Sequence, residues 1–174
     1  KVGHATRSLD ECVRLSKSDF TIRTGLLECR YVWGEQSLYL ELRRRFWKEV
    51  VAGTERNFVE AKLQERDARH IQMGDTRYVL EPNIKEGKGG IRDLQTLFWI
   101  AKYLYRVDDI ASLVEQGVFT AKEVAQFEKT QAYLWCVRCH LHYLAGRPEE
   151  RLTFDVQPEL ANRMGYTDRQ GVLG

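Results

Sequence analysis

Apolar residues recur every three to four positions along most of this 174-residue chain, and that spacing predicts a mainly helical fold. The clearest stripe runs through Leu38, Leu42, Phe46 and Val50 and predicts one buried helix face. The chain has only three prolines, so few positions interrupt such helices. Long amphipathic helices joined by short turns indicate an up-and-down helical bundle.

Capping signals set the expected helix ends. Ser8 and Glu11 match a capping box that begins a short helix, and Thr120 with Glu123 matches a second box that begins a long one. Residues 20–33 fit either a helix or a strand, and we favour the helix. Four further helices are expected at about 56–73 with Gly74 as the cap, 91–105, 108–117 with Asp108 as the cap, and 158–165 with Pro158 in the first turn.

Charge and cysteine content narrow the class of protein. The 27 basic residues nearly balance the 25 acidic ones, which argues against a surface devoted to nucleic acid, and no apolar run reaches membrane-spanning length. The cysteines are too few and too irregularly spaced for a disulfide scaffold, which favours a reducing cytoplasm. Cys136, Cys139 and His140 would share one helix face, but buried packing is the preferred interpretation, so no metal site is predicted.

The stretch from Asn83 to Gln95 is the best candidate for a binding site. It places two lysines and three glycines directly before a predicted helix, whose N-terminus should offer unpaired backbone N–H groups to an anion. The positive charge of Arg92 interacts unfavourably with the N-terminal end of the helix dipole, so Arg92 is expected to face an anion or to pair with a carboxylate such as Asp93 or Glu81. A plain glycine-rich turn with solvated lysines is the alternative. The spacing matches neither a Walker loop nor a dinucleotide-binding fingerprint.

Several runs resemble the bacterial PII uridylyltransferases. They are KVGHATRSLDEC at 1–12, GLLECRYVWG at 25–34, FVEAKL and ERDARH within 58–70, and LEPNIK followed by GGIRDLQ within 80–95. The resemblance spans nearly the whole chain in order. The run GGIRD also resembles the related adenylyltransferase that modifies glutamine synthetase.

The resemblance implies a division of the chain within a longer protein. Residues 1–34 would be the C-terminal end of a nucleotidyltransferase catalytic domain, and 35–155 a helical bundle that binds nucleotide or substrate. Residues 156–174 would begin the connection to a hydrolytic HD domain. The catalytic carboxylates would lie before Lys1, so no catalytic residue and no metal ligand is expected in this chain.

The resemblance also implies an activity. Such enzymes use Mg²⁺ to transfer UMP from UTP to a tyrosine of the PII signalling protein, and remove it when glutamine, sensed by other domains, is high. Here the bundle would close over the nucleotide, with Asp93 orienting Arg92. The phosphate-contacting residues would be Lys85, Lys88 and Arg92, with backbone approach at Gly89 and Gly90, and His4 and Arg7 as secondary candidates.

Two other functions remain open at this stage. One is a fragment of a glutamine-synthetase-type adenylyltransferase. The other is a non-catalytic helical module in which the charged helix at 56–73 docks a protein. The charges of that helix are expected to form mostly a solvated face with local ion pairs.

Overall fold

The structure, a computed structural model, describes residues 5–74 and 79–166. The mainly helical prediction is confirmed. The helices are α1 Leu9–Ser18, α2 Phe20–Leu27, α3 Gln36–Arg45 with a π-helical continuation Phe46–Val51, α4 Glu55–Gln72, α5 Ile91–Tyr105, α6 Ser112–Glu115, α7 Ala121–Ala145 and α8 Gln157–Arg163.

Most helices begin or end at the positions that the capping residues predicted. The Ser8 hydroxyl accepts a hydrogen bond from the Glu11 amide at 3.2 Å, and Thr120 with Glu123 forms a complete capping box. The cap of α6 was predicted wrongly. Asp109 accepts the Ser112 amide at 2.9 Å, whereas Asp108 pairs with Arg43 at 3.0 Å, 65 residues away. Asp108 therefore forms a tertiary ion pair and is not the helix cap that the local sequence predicted.

The apolar stripe through α3 is only half buried. Leu38 is 55% exposed, whereas Phe46, Val50 and Val51 are buried. The buried members lie in the π-helical continuation, in which the Ala52 amide donates to the Trp47 carbonyl at 3.3 Å. Within it the adjacent residues Val50 and Val51 are both buried, which a strict four-residue repeat does not describe.

The core consists of three apolar clusters that follow one another along the bundle. In the first, Phe58 of α4 stacks on Tyr103 of α5 with ring centroids 3.9 Å apart. Helix α5 joins the first cluster to the second, and α7 joins the second to the third. The buried members are Val13, Leu27, Phe46, Val50, Val51, Phe58 and Tyr103 in the first, Ala101, Val107, Ile110, Leu113 and Val124 in the second, and Ile84, Val137, Leu141 and Leu160 in the third.

Helices α1 and α2 pack into the same first cluster as α4 and α5. The proposed domain boundary after residue 34 and the proposed connection from residue 156 stay predictions. Cys136 and Cys139 are exposed, so the interpretation of both as buried packing residues is wrong. They lie on the outer face of α7, whose opposite face carries Val137 and Leu141 into the third cluster. Within the described residues, no helix combines the length and hydropathy needed to cross a membrane.

Candidate functional site

The glycine-rich loop before α5 is held in place by a segment far along the chain. The Ile84 amide donates to the Glu150 carbonyl, and the Leu152 amide to the Pro82 carbonyl, each at 2.9 Å. The Glu81 carboxylate accepts the Phe154 amide at 2.9 Å. These bonds fix the loop against the chain that links α7 and α8.

The loop folds back over the N-terminus of α5 and uses its hydrogen-bond donors. The Ile91 amide donates to the Ile84 carbonyl at 3.0 Å, and the Arg92 amide to the Lys85 carbonyl at 2.9 Å. The Gly90 amide donates to the Gly87 carbonyl at 2.9 Å. The prediction that these first-turn amides are unpaired is therefore wrong. An anion could reach them only by displacing the loop's own carbonyls.

The two glycines before α5 have different structural reasons. A Cβ on Gly90 would lie 2.8 Å from the Ile84 carbonyl oxygen and 2.9 Å from those of Gly87 and Lys85. Gly89 has φ +79°, a conformation that side chains disfavour, and its amide donates to Asp93 at 2.8 Å. Gly90 thus allows the close packing of the loop and Gly89 its turn, and their predicted role in approaching a ligand stays a prediction.

Asp93 is the centre of a buried polar network between α4 and α5. Its carboxylate accepts hydrogen bonds from Arg69 Nη2 at 2.6 Å and from the Gly89 amide, and lies 2.8 Å from His70 Nε2. Asp93 was expected to orient Arg92, and that expectation is wrong. Its partners come from α4, 23 and 24 residues earlier, where sequence reasoning had assigned the charges mostly to a solvated face.

The candidate cations lie around this network. Arg92 Nη1 donates to Gln95 at 3.1 Å, its Nη2 lies 3.8 Å from Glu86, and its guanidinium sits 5.6 Å from the Trp99 ring centroid. Lys85 pairs with Glu86 at 3.2 Å, and Lys88 is exposed. The two secondary candidates stay predictions: Arg7 is exposed before α1, and His4 lies outside the described residues.

Two cavities flank the Arg69–Asp93 ion pair. The lysine-side cavity has a volume of about 620 Å³ and is lined by Leu63, Arg66, Asp67, His70, Ile71, Lys88, Asp93, Thr96, Leu97 and Ile100. The tryptophan-side cavity has a volume of about 400 Å³ and is lined by Thr21, Thr24, Gly25, Glu28, Lys62, Glu65, Arg69, Arg92 and Trp99. The loop before α5 thus presents Lys88 to the lysine-side cavity, and the first turn of α5 presents Arg92 to the tryptophan-side cavity.

The Asp93 network predicts a stability change at acid pH. Burial acts to raise the pKa of the Asp93 carboxyl, but the Gly89 amide, Arg69 and His70 together hold it below its ordinary value. A carboxyl with a lowered folded-state pKa stabilises the fold above its unfolded pKa, and that contribution is lost as pH falls through the lowered value. Asp93→Asn should cost about 2 kcal/mol of unfolding free energy at pH 7 and less below pH 4.

Urea denaturation of wild type and Asp93→Asn between pH 3 and 7 measures this difference. Asp67→Asn is the matched control because Asp67 pairs with its exposed neighbour Arg66 on the same helix. A constant difference between wild type and Asp93→Asn across that pH range would contradict the prediction.

Comparison with known proteins gives a consistent result. The family model described as GlnD PII-uridylyltransferase matches residues 57–174. The chain is 63% identical over all 174 residues to proteins of Rhodospirillum rubrum and Azospirillum brasilense, and 58% identical over 171 residues to one of Novosphingobium aromaticivorans. All three carry the name bifunctional uridylyltransferase/uridylyl-removing enzyme, and the chain spans 19% of the length of each. No solved structure matches it.

Proposed function

The chain belongs to the PII-uridylyltransferase family, and from that premise we propose that its parent protein transfers UMP from UTP to a tyrosine of a PII signalling protein. The parent would also remove that UMP by hydrolysis, as the names of the relatives state for those proteins. Because the chain spans about a fifth of the relatives, it supplies only part of this machinery. Glutamine would act as an effector on parts outside this chain.

The role proposed for this segment is to bind the nucleotide and close over it. The observation that carries this role is the basic N-terminal end of α5, where Arg92 of the first turn and Lys88 of the preceding loop line the two flanking cavities. Lys85 adds a third cation at the same end. Nucleotidyl transfer develops negative charge on the departing pyrophosphate, and preorganised cations stabilise that charge in the transition state.

The loop architecture suits such a role because it fixes the cations. The amides on either side of Lys88, those of Gly87 and Gly89, are hydrogen-bonded, and so is the amide of Arg92. Cations on a rigid support need little reorganisation during reaction. Gly89, Gly90 and Asp93 would then act as the framework of the site.

The Mg²⁺ that the family implies does not fit the described part of this chain. No group of three potential ligand side chains there is placed to hold a metal ion. The best-placed carboxylate, Asp93, is already bonded to Arg69, His70 and the Gly89 amide. Metal ligands are therefore proposed to lie outside the described residues.

The two alternative functions receive less support. The family match favours uridylyl transfer over adenylyl transfer. The docking role of α4 is weakened because Lys62, Arg69 and His70 are engaged inside the fold and only its other charges face outwards.

Labelling of a PII protein by the full-length parent tests the proposed function. We expect UMP to be incorporated from α-labelled UTP on a PII tyrosine and to be released when glutamine is added. Labelling from ATP at an equal rate would instead support an adenylyltransferase. A PII variant with phenylalanine at the modified tyrosine is the control, and unlabelled PII under all conditions would refute the proposal.

A further inference from the structure

The tryptophan-side cavity contains a nearly buried lysine. Lys62 of α4 is 3% exposed, and its ammonium lies 5.6 Å from the Phe58 ring centroid and 5.5 Å from that of Trp99. Aromatic faces attract a cation that lies against them. Lysines are seldom buried in this way unless they are paired, and Lys62 pairs with Glu65.

Two guanidinium groups join Lys62 at this cavity. Arg92 lies over the same Trp99 ring at 5.6 Å. The Arg69 side chain is 13% exposed, and its Nε is buried with no hydrogen-bond partner among the described residues; the Glu86 carboxylate is 3.7 Å away. A buried N–H without an acceptor is costly, and a ligand oxygen would remove that cost.

The carboxylates around the cavity are more exposed than the cations. Glu65 pairs with Lys62 at 2.9 Å and is 49% exposed, and Glu28 lies 3.5 Å from Lys102 and is 42% exposed. The half-exposed Glu65 carboxylate can turn to water, whereas the buried Lys62 ammonium still needs an anionic partner. An incoming anion with several charges can therefore replace Glu65 at Lys62.

We infer that the tryptophan-side cavity is a polyphosphate subsite, which binds the triphosphate of the nucleotide or the pyrophosphate that leaves it. Three cations converge on a space of about 400 Å³, a size suited to a small ligand. Arginine and lysine together provide the forked and point-charge donors that bind phosphate oxygens. The inference rests on the proposed function and adds Lys62, Arg69 and Trp99 to its site.

Gly25 offers a test that leaves these side chains intact. It lines the cavity from α2, and a Cβ there would meet nothing within 4 Å. In the full-length enzyme, Gly25→Glu would add a negative charge and Gly25→Gln a neutral side chain of the same size. We expect Gly25→Glu to raise the inhibition constant of inorganic pyrophosphate about tenfold through charge repulsion, and Gly25→Gln to raise it about twofold.

The outcomes separate this inference from the proposed function. A rise in the pyrophosphate inhibition constant alone identifies the leaving pyrophosphate as the occupant, and a parallel rise in the KM for UTP identifies the triphosphate. Equal effects of Gly25→Glu and Gly25→Gln, or none from either, would overturn the subsite although uridylyl transfer by wild type would stand. If wild type does not modify PII, the proposed function fails, and calorimetric titration of the full-length protein with pyrophosphate still tests the cavity.

Lys62→Met provides a second, independent variant. It keeps the length and apolar packing of the side chain and removes its charge, so the pyrophosphate inhibition constant should again rise about tenfold. Arg56→Gln is the control, since Arg56 lies on the same helix and is 90% exposed. Uridylyl removal, measured in every variant, reports whether the protein is folded. Unchanged inhibition in a folded Lys62→Met variant would overturn the inference.

Discussion

Replacing Arg92 with glutamine in the full-length enzyme is expected to slow UMP transfer to PII by about a hundredfold and to leave uridylyl removal unchanged. The variant keeps a side chain that can pack on Trp99 and bond Gln95 but removes the positive charge between Glu86 and the tryptophan-side cavity. A cation that stabilises charge only in the transition state should lower kcat more than it raises KM.

Two further variants make this prediction specific. Arg92→Lys keeps the charge but loses the forked donor geometry, so it should recover part of the transfer rate. Arg56→Gln changes an exposed arginine that pairs with Glu60 on its own helix, and it should transfer UMP at the wild-type rate. Rates are measured with labelled UTP for transfer and with modified PII for removal. A matched loss of both activities in Arg92→Gln would indicate damage to the fold and contradict the assigned role.

Gly90→Ala is expected to lower the free energy of unfolding by about 3 kcal/mol. The added Cβ would approach three backbone carbonyl oxygens within 2.9 Å, and backbone cannot rotate away as a side chain can. The loop would have to move off the N-terminus of α5, which would break the bonds from the Ile91 and Arg92 amides. Urea denaturation of the chain, followed by circular dichroism at 222 nm, measures the change.

Gly25→Ala is the matched control for Gly90→Ala. A Cβ at Gly25 meets no atom, and alanine is the better helix former, so this substitution should stabilise α2 by about 0.5–1 kcal/mol. The two glycine substitutions should therefore shift the urea midpoint in opposite directions. A Gly90→Ala midpoint equal to that of wild type would show that the loop tolerates the added carbon.

Sequence predicted those features that depend on neighbouring residues. The Thr120 capping box and the cap at Gly74 are local, and both helices that they delimit were found. The π-helical turn after α3 was not predicted because nothing in the residues from Phe46 to Val51 marks a change of hydrogen-bond register. Phe46, Val50 and Val51 of that turn pack into the first cluster, a contact between distant segments that a periodic pattern does not contain.

The candidate site stays a prediction, and the stretch from 83 to 95 supplies Lys88 to the lysine-side cavity and Arg92 to the tryptophan-side cavity. The other basic residues that line these cavities come from α4. Gly90 was given a ligand-binding reason, whereas the structure gives it a steric one that only the carbonyls of the folded loop reveal. Asp93 pairs with Arg69 and His70, which lie in another helix. Such pairing between distant segments cannot be predicted from the sequence of one segment.

The bond between Glu81 and Phe154 joins residues 73 positions apart, and the neighbouring bonds of Pro82 with Leu152 and of Ile84 with Glu150 also join distant parts of the chain. During synthesis on the ribosome, α5 therefore emerges long before residues 150–154, which hold the loop at the N-terminus of α5. Local helices form early, and contacts between distant residues form late. The loop at the N-terminal end of α5 is thus completed last, once α7 has left the exit tunnel, and a nascent chain stopped before residue 150 would have a helical body without a secured loop.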